Sequence, residues 1–483
     1  VGEITSPMGR FDQSKGESYM SVLIANGTIV TSLGEYGADI LVEGETIVAI
    51  GKGFDKRAAE VIDASGKYVL PGGVDNHTHF ALPFGGTVTR GFETTPAAIL
   101  GGTTTIVDYA PQPRGMSITD SVAKHDEERA SGKSAVDYAF HGIVMDVTDG
   151  LFEEIPKLPE RGIPTLKLFM AYKGTPYMVD DATLFKALQA AKKSGVTIMV
   201  HAENGDVIDV LQKQCVSSGQ VDPKYHAVSR PPAVEAEATA RAVAIAAMAD
   251  APIFVVHVSC REAMEAIRDA YIDGVSAYGE TCPHYMTLGV DNLSKPNFEG
   301  AKYVCSPALR SPEHHAAMWQ AIGKGWLQVV GSDHCGFDWK EQKHMGKDNF
   351  TKIPNGAPGV QYRLALLWTY GVETGKISRQ KLVNVYATAP AKFNGLYPRK
   401  GDIAVGSDAD IVIFDPQWEG TMSVNNSLEG VDFCAYEGMK QKGRVEKVFL
   451  RGNLSVDNGK FVGQAGQGRF LKGKPFGAAY QGL

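Results

Sequence analysis

Cysteine is scarce in this chain, six residues in 483, and none falls in CxxC spacing. Neither a disulfide framework nor a cysteine-rich zinc module can organise it, and reduced thiols in a cytoplasmic protein are expected. No apolar run approaches the ~20 residues that a membrane span needs. The first 19 residues are polar and contain no signal-like apolar core, which argues against secretion. Blocks of lysine and arginine are missing too: 48 basic against 55 acidic residues give a net charge of −7, so no footprint for nucleic acid or an anionic membrane is expected. There is no solenoid period and no low-complexity tract. What remains, 43% hydrophobic residues and 54 glycines, is the composition of an ordinary enzyme with a large core and a small-molecule substrate.

Residues 1–19 precede the first strand-like pattern and are expected to be a disordered extension. From Met20 the chain reads as short strands broken by Asn-Gly and Glu-Gly turns, SVLIANGTIVTS and then ADILVEGETIVAIG. The same texture returns in DADIVIFDP and VEKVFLRGNLSVDNGKFVG, so residues 20–67 and 396–463 are expected to pair into one small β-domain, with 464–483 as a C-terminal tail. Between them, apolar β-branched runs alternate with helical patterns, as parallel strands buried on both faces require. Eight runs are found: KYVLPGGV, TTTIVDY, YAFHGIV, TLKLFMAY, TIMVHAE, IFVVHVS, SAYGETC and LQVVGSDH, beginning near Lys67, Thr103, Tyr138, Thr165, Thr197, Ile253, Ser276 and Leu327. Eight βα units predict a closed (β/α)8 barrel over 68–395. Helices are expected from about Pro232 to Asp250 and, after the eighth strand, in YRLALLWTYGVETG and SRQKLVNVYATAPAKFNG.

The sharpest local motif is Asp75-Asn76-His77-Thr78-His79 after VLPGGV. In an extended segment, residues two apart point the same way, so His77 and His79 can bind one metal. A lone HxH pair fits polar surface or core histidines equally well. Its position shifts the weight, because His201, His257 and Asp333 end other strands of the series, where such barrels build their active sites. Lys167 stands inside the apolar run TLKLFM, where desolvation lowers an ammonium's pKa. Either it reaches the rim and meets a carboxylate, or its neutral amine takes up carbon dioxide as a carbamate that bridges metals.

The segments PGGVDNHTHF, LKLFMAY, VHAENGD, VVHVSC, YGETCPHY, SPALR, GSDHC and KIPNG occur in the order found in dihydropyrimidinases and hydantoinases, and the chain resembles this branch of the amidohydrolase superfamily from about Met20 to Gly463. The resemblance implies a metal-dependent barrel with a β-sandwich made from both chain ends, and a homotetramer. It implies that His77, His79 and Asp333 hold one metal, His201 and His257 a second, and N6-carboxylated Lys167 bridges them. The metals would be two divalent ions per subunit, zinc by family habit, although nitrogen and oxygen ligands also accept manganese, iron or cobalt. A metal pair activates water and polarises the scissile carbonyl, and Asp333 takes and returns the proton. Tyr172 matches an oxyanion-stabilising phenol, and Ser306 and Asn355 match positions whose backbone groups hold the ring amides. Leu82, Phe84, the segment after Asp108 and Phe169 to Tyr177 match the walls of the substituent pocket.

The implied reaction is hydrolysis of dihydrouracil, dihydrothymine and 5-substituted hydantoins to N-carbamoyl amino acids, as in pyrimidine degradation. Allantoinase and phenylhydantoinase are the near alternatives and dihydroorotase a more distant one. A non-catalytic scaffold of the collapsin response mediator type is disfavoured because all six ligand positions are filled. Departures from the family pattern fall at Asn76, Phe80, Gly336 and Asp338, in loops that bear on substrate preference. Arg90 and Arg114 are the nearby cations in sequence, expected to face solvent.

Overall fold

The apolar β-branched runs become parallel strands because both of their faces have something to cover. In the computed structural model, which describes residues 21–54 and 58–476, they are β1 (Gly73–His79), β2 (Thr103–Pro111), β3 (Asp137–Ile143), β4 (Thr165–Phe169), β5 (Thr197–His201), β6 (Ile253–Val255) and β7 (Ala277–Thr281). The eighth, β8, comes in two pieces, Val329–Val330 and His334–Cys335. Its first piece pairs with Glu280 and Thr281 of β7 and its second with Thr78 and His79 of β1. That split pairing closes the sheet into the expected barrel. The interior is filled rather than hollow, with Ile143, Met199, Phe254, Val329 and Phe393 in one packed cluster. The expected extension 1–19 and the last residues of the tail, 477–483, lie outside the described residues.

The run read as a single first strand is two. Tyr68–Pro71 pairs antiparallel with Ile411–Thr421 and parallel with Thr28–Val30, in the β-domain, and β1 starts only at Gly73. At the crossing the glycine backbone runs directly against two buried side chains. A Cβ at Gly72 would lie 2.1 Å from Thr104 Oγ1, and one at Gly73 would lie 2.2 Å from the Tyr386 ring. Only glycine fits there.

Both chain ends build the β-domain, as a four-stranded and a seven-stranded sheet. Alternation explains its packing. Val22, Ile24, Ile40 and Val42 meet Ile29, Val69, Ile411 and Ile413 between the sheets, while Leu23, Ala25 and Leu41 pack on the opposite face. A buried charge cluster ties this domain to the barrel: Lys400 Nζ lies 2.7 Å from both Asp137 and Asp410 and 3.0 Å from Asp408, and Arg451 also binds Asp137. Asp137 opens β3. The tail follows the same seam, with Leu471 N donating to Tyr138 O at 2.7 Å and Phe476 packed on Phe393.

The Pro232–Ala249 helix matches its expected span and ends on Asp250 in the left-handed region. Both later helical patterns are helical, each with a wide π-type turn, at Trp368–Val372 and Asn384–Thr388. Among the described residues no helix is long and apolar enough to cross a membrane.

Candidate active site

The C-terminal ends of the barrel strands converge on one cavity. Its walls include His79, Lys167, His201, His257 and Asp333, together with Leu82, Phe84, Phe169, Tyr172, Ser306 and Asn355. Among the sequence-derived candidates His77 is set behind the wall, fully buried, and the segment expected to line the pocket after Asp108 contributes no lining residue, because Tyr109 is itself buried against the His77 and His79 rings. Period-two alternation in β1 turns His77 and His79 the same way, with ring centroids 5.1 Å apart; His257 lies 5.3 Å from His77 and 4.5 Å from His201. Asp333 Oδ1 is 3.2 Å from Nε2 of both His77 and His79, and these three residues can offer ligand atoms within 4.8 Å of one another. Three site residues sit at positive φ just past strand ends, Tyr172 at 69°, His257 at 42° and Asp333 at 49°. Such backbone strain is held by the surrounding fold and is found at functional sites.

Among the described residues several buried polar atoms here have no hydrogen-bond partner: His77 Nε2, His79 Nδ1, His257 Nδ1 and Lys167 Nζ. Buried polar groups are seldom left so, and their clustering on residues around Asp333 fits a set of metal donors. Two of the site imidazoles are held by carboxylates. His77 Nδ1 is bonded to the Glu280 carboxylate, and His201 Nε2 lies 2.7 Å from Glu203, which also accepts from Arg230 at 2.6 Å. Carboxylates in this position fix the ring and the tautomer, leaving the other nitrogen for a metal. His141 shows the contrast, since both of its nitrogens are taken, by Thr165 at 2.5 Å and the Asn76 carbonyl at 3.0 Å.

Burial holds His77 and His257 well below the usual histidine range, helped by the Lys167 charge, so they stand as neutral, metal-competent rings. Burial also pushes Lys167 down to about 7, against the attraction of Asp333 and Glu280. Its Nζ reaches no carboxylate; it stands 5.0 Å from the ring centres of Tyr109 and Phe169. An amine poised between neutral and charged at ordinary pH is a nucleophile toward carbon dioxide.

On the opposite wall, burial pushes the Tyr172 phenol up to about 12, so it keeps its proton and can donate it in a hydrogen bond. Asn355 Nδ2 donates to Ser306 Oγ at 3.0 Å. Among the described residues the backbone N–H of Asn355 and the carbonyl of Ser306 have no protein partner. A free donor and a free acceptor on one wall are what a cyclic amide presents in complement. The remaining walls are apolar and aromatic, with Phe84 5.4 Å from Tyr172 and Phe169 5.2 Å from Tyr177.

Arg114 is exposed, and Arg90 turns away to pair with Asp338, passing over Gly336, where a Cβ would come within 3.0 Å of it. Two departures from the family pattern thus take Arg90 out of the cavity. The sequence reading missed a buried cation beside the cavity: Arg230, 5.6 Å from the Tyr172 ring centre and already paired with Glu203. It also missed Glu280, although a carboxylate inside the apolar run SAYGETC carries the same signal as Lys167 in TLKLFM. Ile143, Cys335 and Phe337 complete the wall without any chemical pattern to betray them.

Comparison with known proteins agrees with this geometry. The amidohydrolase family signature matches residues 68–455. The D-hydantoinase of Geobacillus stearothermophilus is 47% identical over 462 residues, covering 95% of this chain and 98% of that protein. Among solved structures, the dihydropyrimidinase of Brevibacillus agri NCHU1002 is 49% identical, with a TM-score of 0.93 over 95% of this chain and 99% of that one. The L-hydantoinase (dihydropyrimidinase) of Arthrobacter aurescens superposes with a TM-score of 0.85 at 31% identity, over 94% and 100%. With the barrel, the histidine and aspartate cluster and these relatives in agreement, the chain belongs to the amidohydrolase family, in its hydantoinase and dihydropyrimidinase branch, and is a hydrolase of cyclic amides.

Proposed function

We propose that the protein opens 5,6-dihydropyrimidines and 5-substituted hydantoins to N-carbamoyl amino acids, using two divalent metals, zinc by preference. The observation that carries this reading is the unpartnered, fully buried Lys167 Nζ among four histidines and Asp333. Loss of a proton from the Lys167 ammonium, attack of the neutral nitrogen on carbon dioxide and loss of a second proton from that nitrogen would leave a carbamate, an anionic oxygen ligand for the metals. His77, His79 and Asp333 would hold one metal and His201 and His257 the other, and the pair would supply an activated water and a Lewis acid for the scissile carbonyl.

The chain's own groups do the rest. The Asn355 N–H and Ser306 carbonyl bind the ring's amide edge and fix which carbonyl faces the metals. Tyr172 donates its phenolic proton in a hydrogen bond to the oxygen on which negative charge develops. Asp333 accepts the proton of the attacking water and delivers it to the leaving ring nitrogen. The aromatic walls exclude water and accommodate an apolar substituent.

A substrate carboxylate would need a cation of its own to offset desolvation. Arg230 and Arg90 are both committed to carboxylates. Uncharged rings are therefore preferred over dihydroorotate. The test is kcat/KM for dihydrouracil, a 5-alkyl hydantoin, allantoin and dihydroorotate with metal-replete enzyme under one set of conditions. Dihydroorotate or allantoin emerging as the best substrate would sink the assignment.

A further inference from the structure

Lys343 is wholly buried, in the loop after β8, outside the cavity. Its Nζ makes three hydrogen bonds, all to backbone carbonyls: Val304 at 2.9 Å, Pro354 at 2.6 Å and Gly356 at 2.5 Å. An ammonium has three N–H donors, so its inventory is filled. Burial pushes the group down to about 7, but a neutral amine has only two donors and would strand one of the three carbonyls.

The identity of the carbonyls matters more than their number. Pro354 and Gly356 flank Asn355, and Val304 lies two residues before Ser306. The Pro354 carbonyl and the Asn355 N–H belong to one planar peptide unit, so whatever fixes the oxygen fixes the direction of the N–H. A charged donor on that oxygen also polarises the unit and strengthens the N–H as a donor on its other side. Further contacts carry the arrangement to the metal side of the site. Gly356 N donates to Val304 O at 3.0 Å, joining the two segments, and Cys335 N donates to Ala357 O at 2.9 Å, two residues after Asp333.

We propose that Lys343 is a positioning residue for substrate binding, whose buried ammonium aims and polarises the Asn355 peptide and holds it in register with Ser306 against the ring amide. This rests on the cyclic-amide reading given above. It assigns Lys343 no contact with substrate, metal or transferred proton.

The test compares wild type with Lys343→Met, which keeps length and volume and removes all three donors, and with Lys343→Gln, which keeps two. Metal content, Tm, and kcat and KM for dihydrouracil and a 5-alkyl hydantoin are measured well below the lowest Tm. Lys343→Met is expected to retain full metal content and to raise KM about tenfold, the effect of losing roughly one well-aimed hydrogen bond, with a smaller change in kcat, and Lys343→Gln to recover part of the loss. A lowered Tm with unchanged KM would make Lys343 a purely structural pin and overturn the proposal. Failure of both variants to fold would overturn it in the same way. Wild-type enzyme without turnover of either cyclic amide overturns the functional reading and this inference together, whereas normal KM in an active Lys343→Met enzyme overturns this inference alone.

Discussion

The Nδ1 of His77 is bonded to the carboxylate of Glu280, which arrives from β7 and also accepts from Asn76 Nδ2 at 3.0 Å. This fixes the imidazole so that its other nitrogen, which makes no hydrogen bond among the described residues, faces Asp333. Burial raises the Glu280 carboxyl to about 8, and Glu280→Gln keeps the shape while removing the ionisable group that can take the His77 Nδ1 proton and, on the proposed metal site, support His77 as a ligand. The expected result is a loss of metal affinity of ~10–100-fold, with activity recovered in excess metal. Metal titration followed by metal analysis checks it, and wild-type affinity would show that Glu280 merely fills space.

Lys167 gives a prediction with a definite pH sign. Its folded-state value of about 7 lies below the ordinary 10.5. The metal-free folded protein therefore binds fewer protons than the unfolded chain between those values, so its stability rises with pH across that window and the burial cost is fully present below about 7. Carbamate formation needs the neutral amine and is expected to fall off as pH drops through the same region. A carbamate signal from 13C-labelled bicarbonate, followed by NMR against pH in metal-free protein, tests this. The same signal is expected to be missing in Lys167→Ala, which should lose paired metal binding yet stay folded; normal metal content and turnover in that variant would refute the bridge.

On the proposed mechanism Asp333 and Tyr172 act in the chemical step, so their loss is expected in kcat more than in KM. Tyr172→Phe removes one donor from the developing oxyanion and should cost about 10²–10³ in kcat. Asp333→Asn should cost at least as much, with weaker metal binding as well. Near-normal kcat at full metal occupancy in either variant would remove that residue from its role.

Lys400 answers to stability rather than chemistry. Replacing it with Met leaves Asp137, Asp410 and Asp408 facing one another without their shared ammonium, although Arg451 still binds Asp137. Breaking a buried network on one side typically costs ~3–5 kcal/mol. A clear fall in Tm with unchanged kcat and KM is expected, and an unchanged Tm would mean that the seam between barrel and β-domain is held by packing alone.

The sequence by itself determined the eight-strand barrel, since apolar β-branched runs between helical patterns have few other ways to bury both faces. It also marked the site, because His201, His257, Lys167 and Asp333 are polar residues placed where an apolar strand would exclude them without a reason. Their convergence follows from strand ends alone, which is why the cavity includes them. The tertiary structure decided what local pattern cannot carry. The break at Gly72 depends on Thr104 and Tyr386, which are distant in the chain, so the first run reads locally as one strand. Glu280 reaches His77 across 203 residues; Arg230 on Glu203 and Lys343 beneath Asn355 are nearer in the chain, but loops join them and no strand or helix period announces the pairing. Arg90 shows the same division: the sequence reading turns it toward solvent, and only the packing over Gly336 supplies its partner, Asp338. Strand periodicity is a local property written residue by residue, whereas the orientation of a buried charge is set by whichever opposite charge the fold brings within reach.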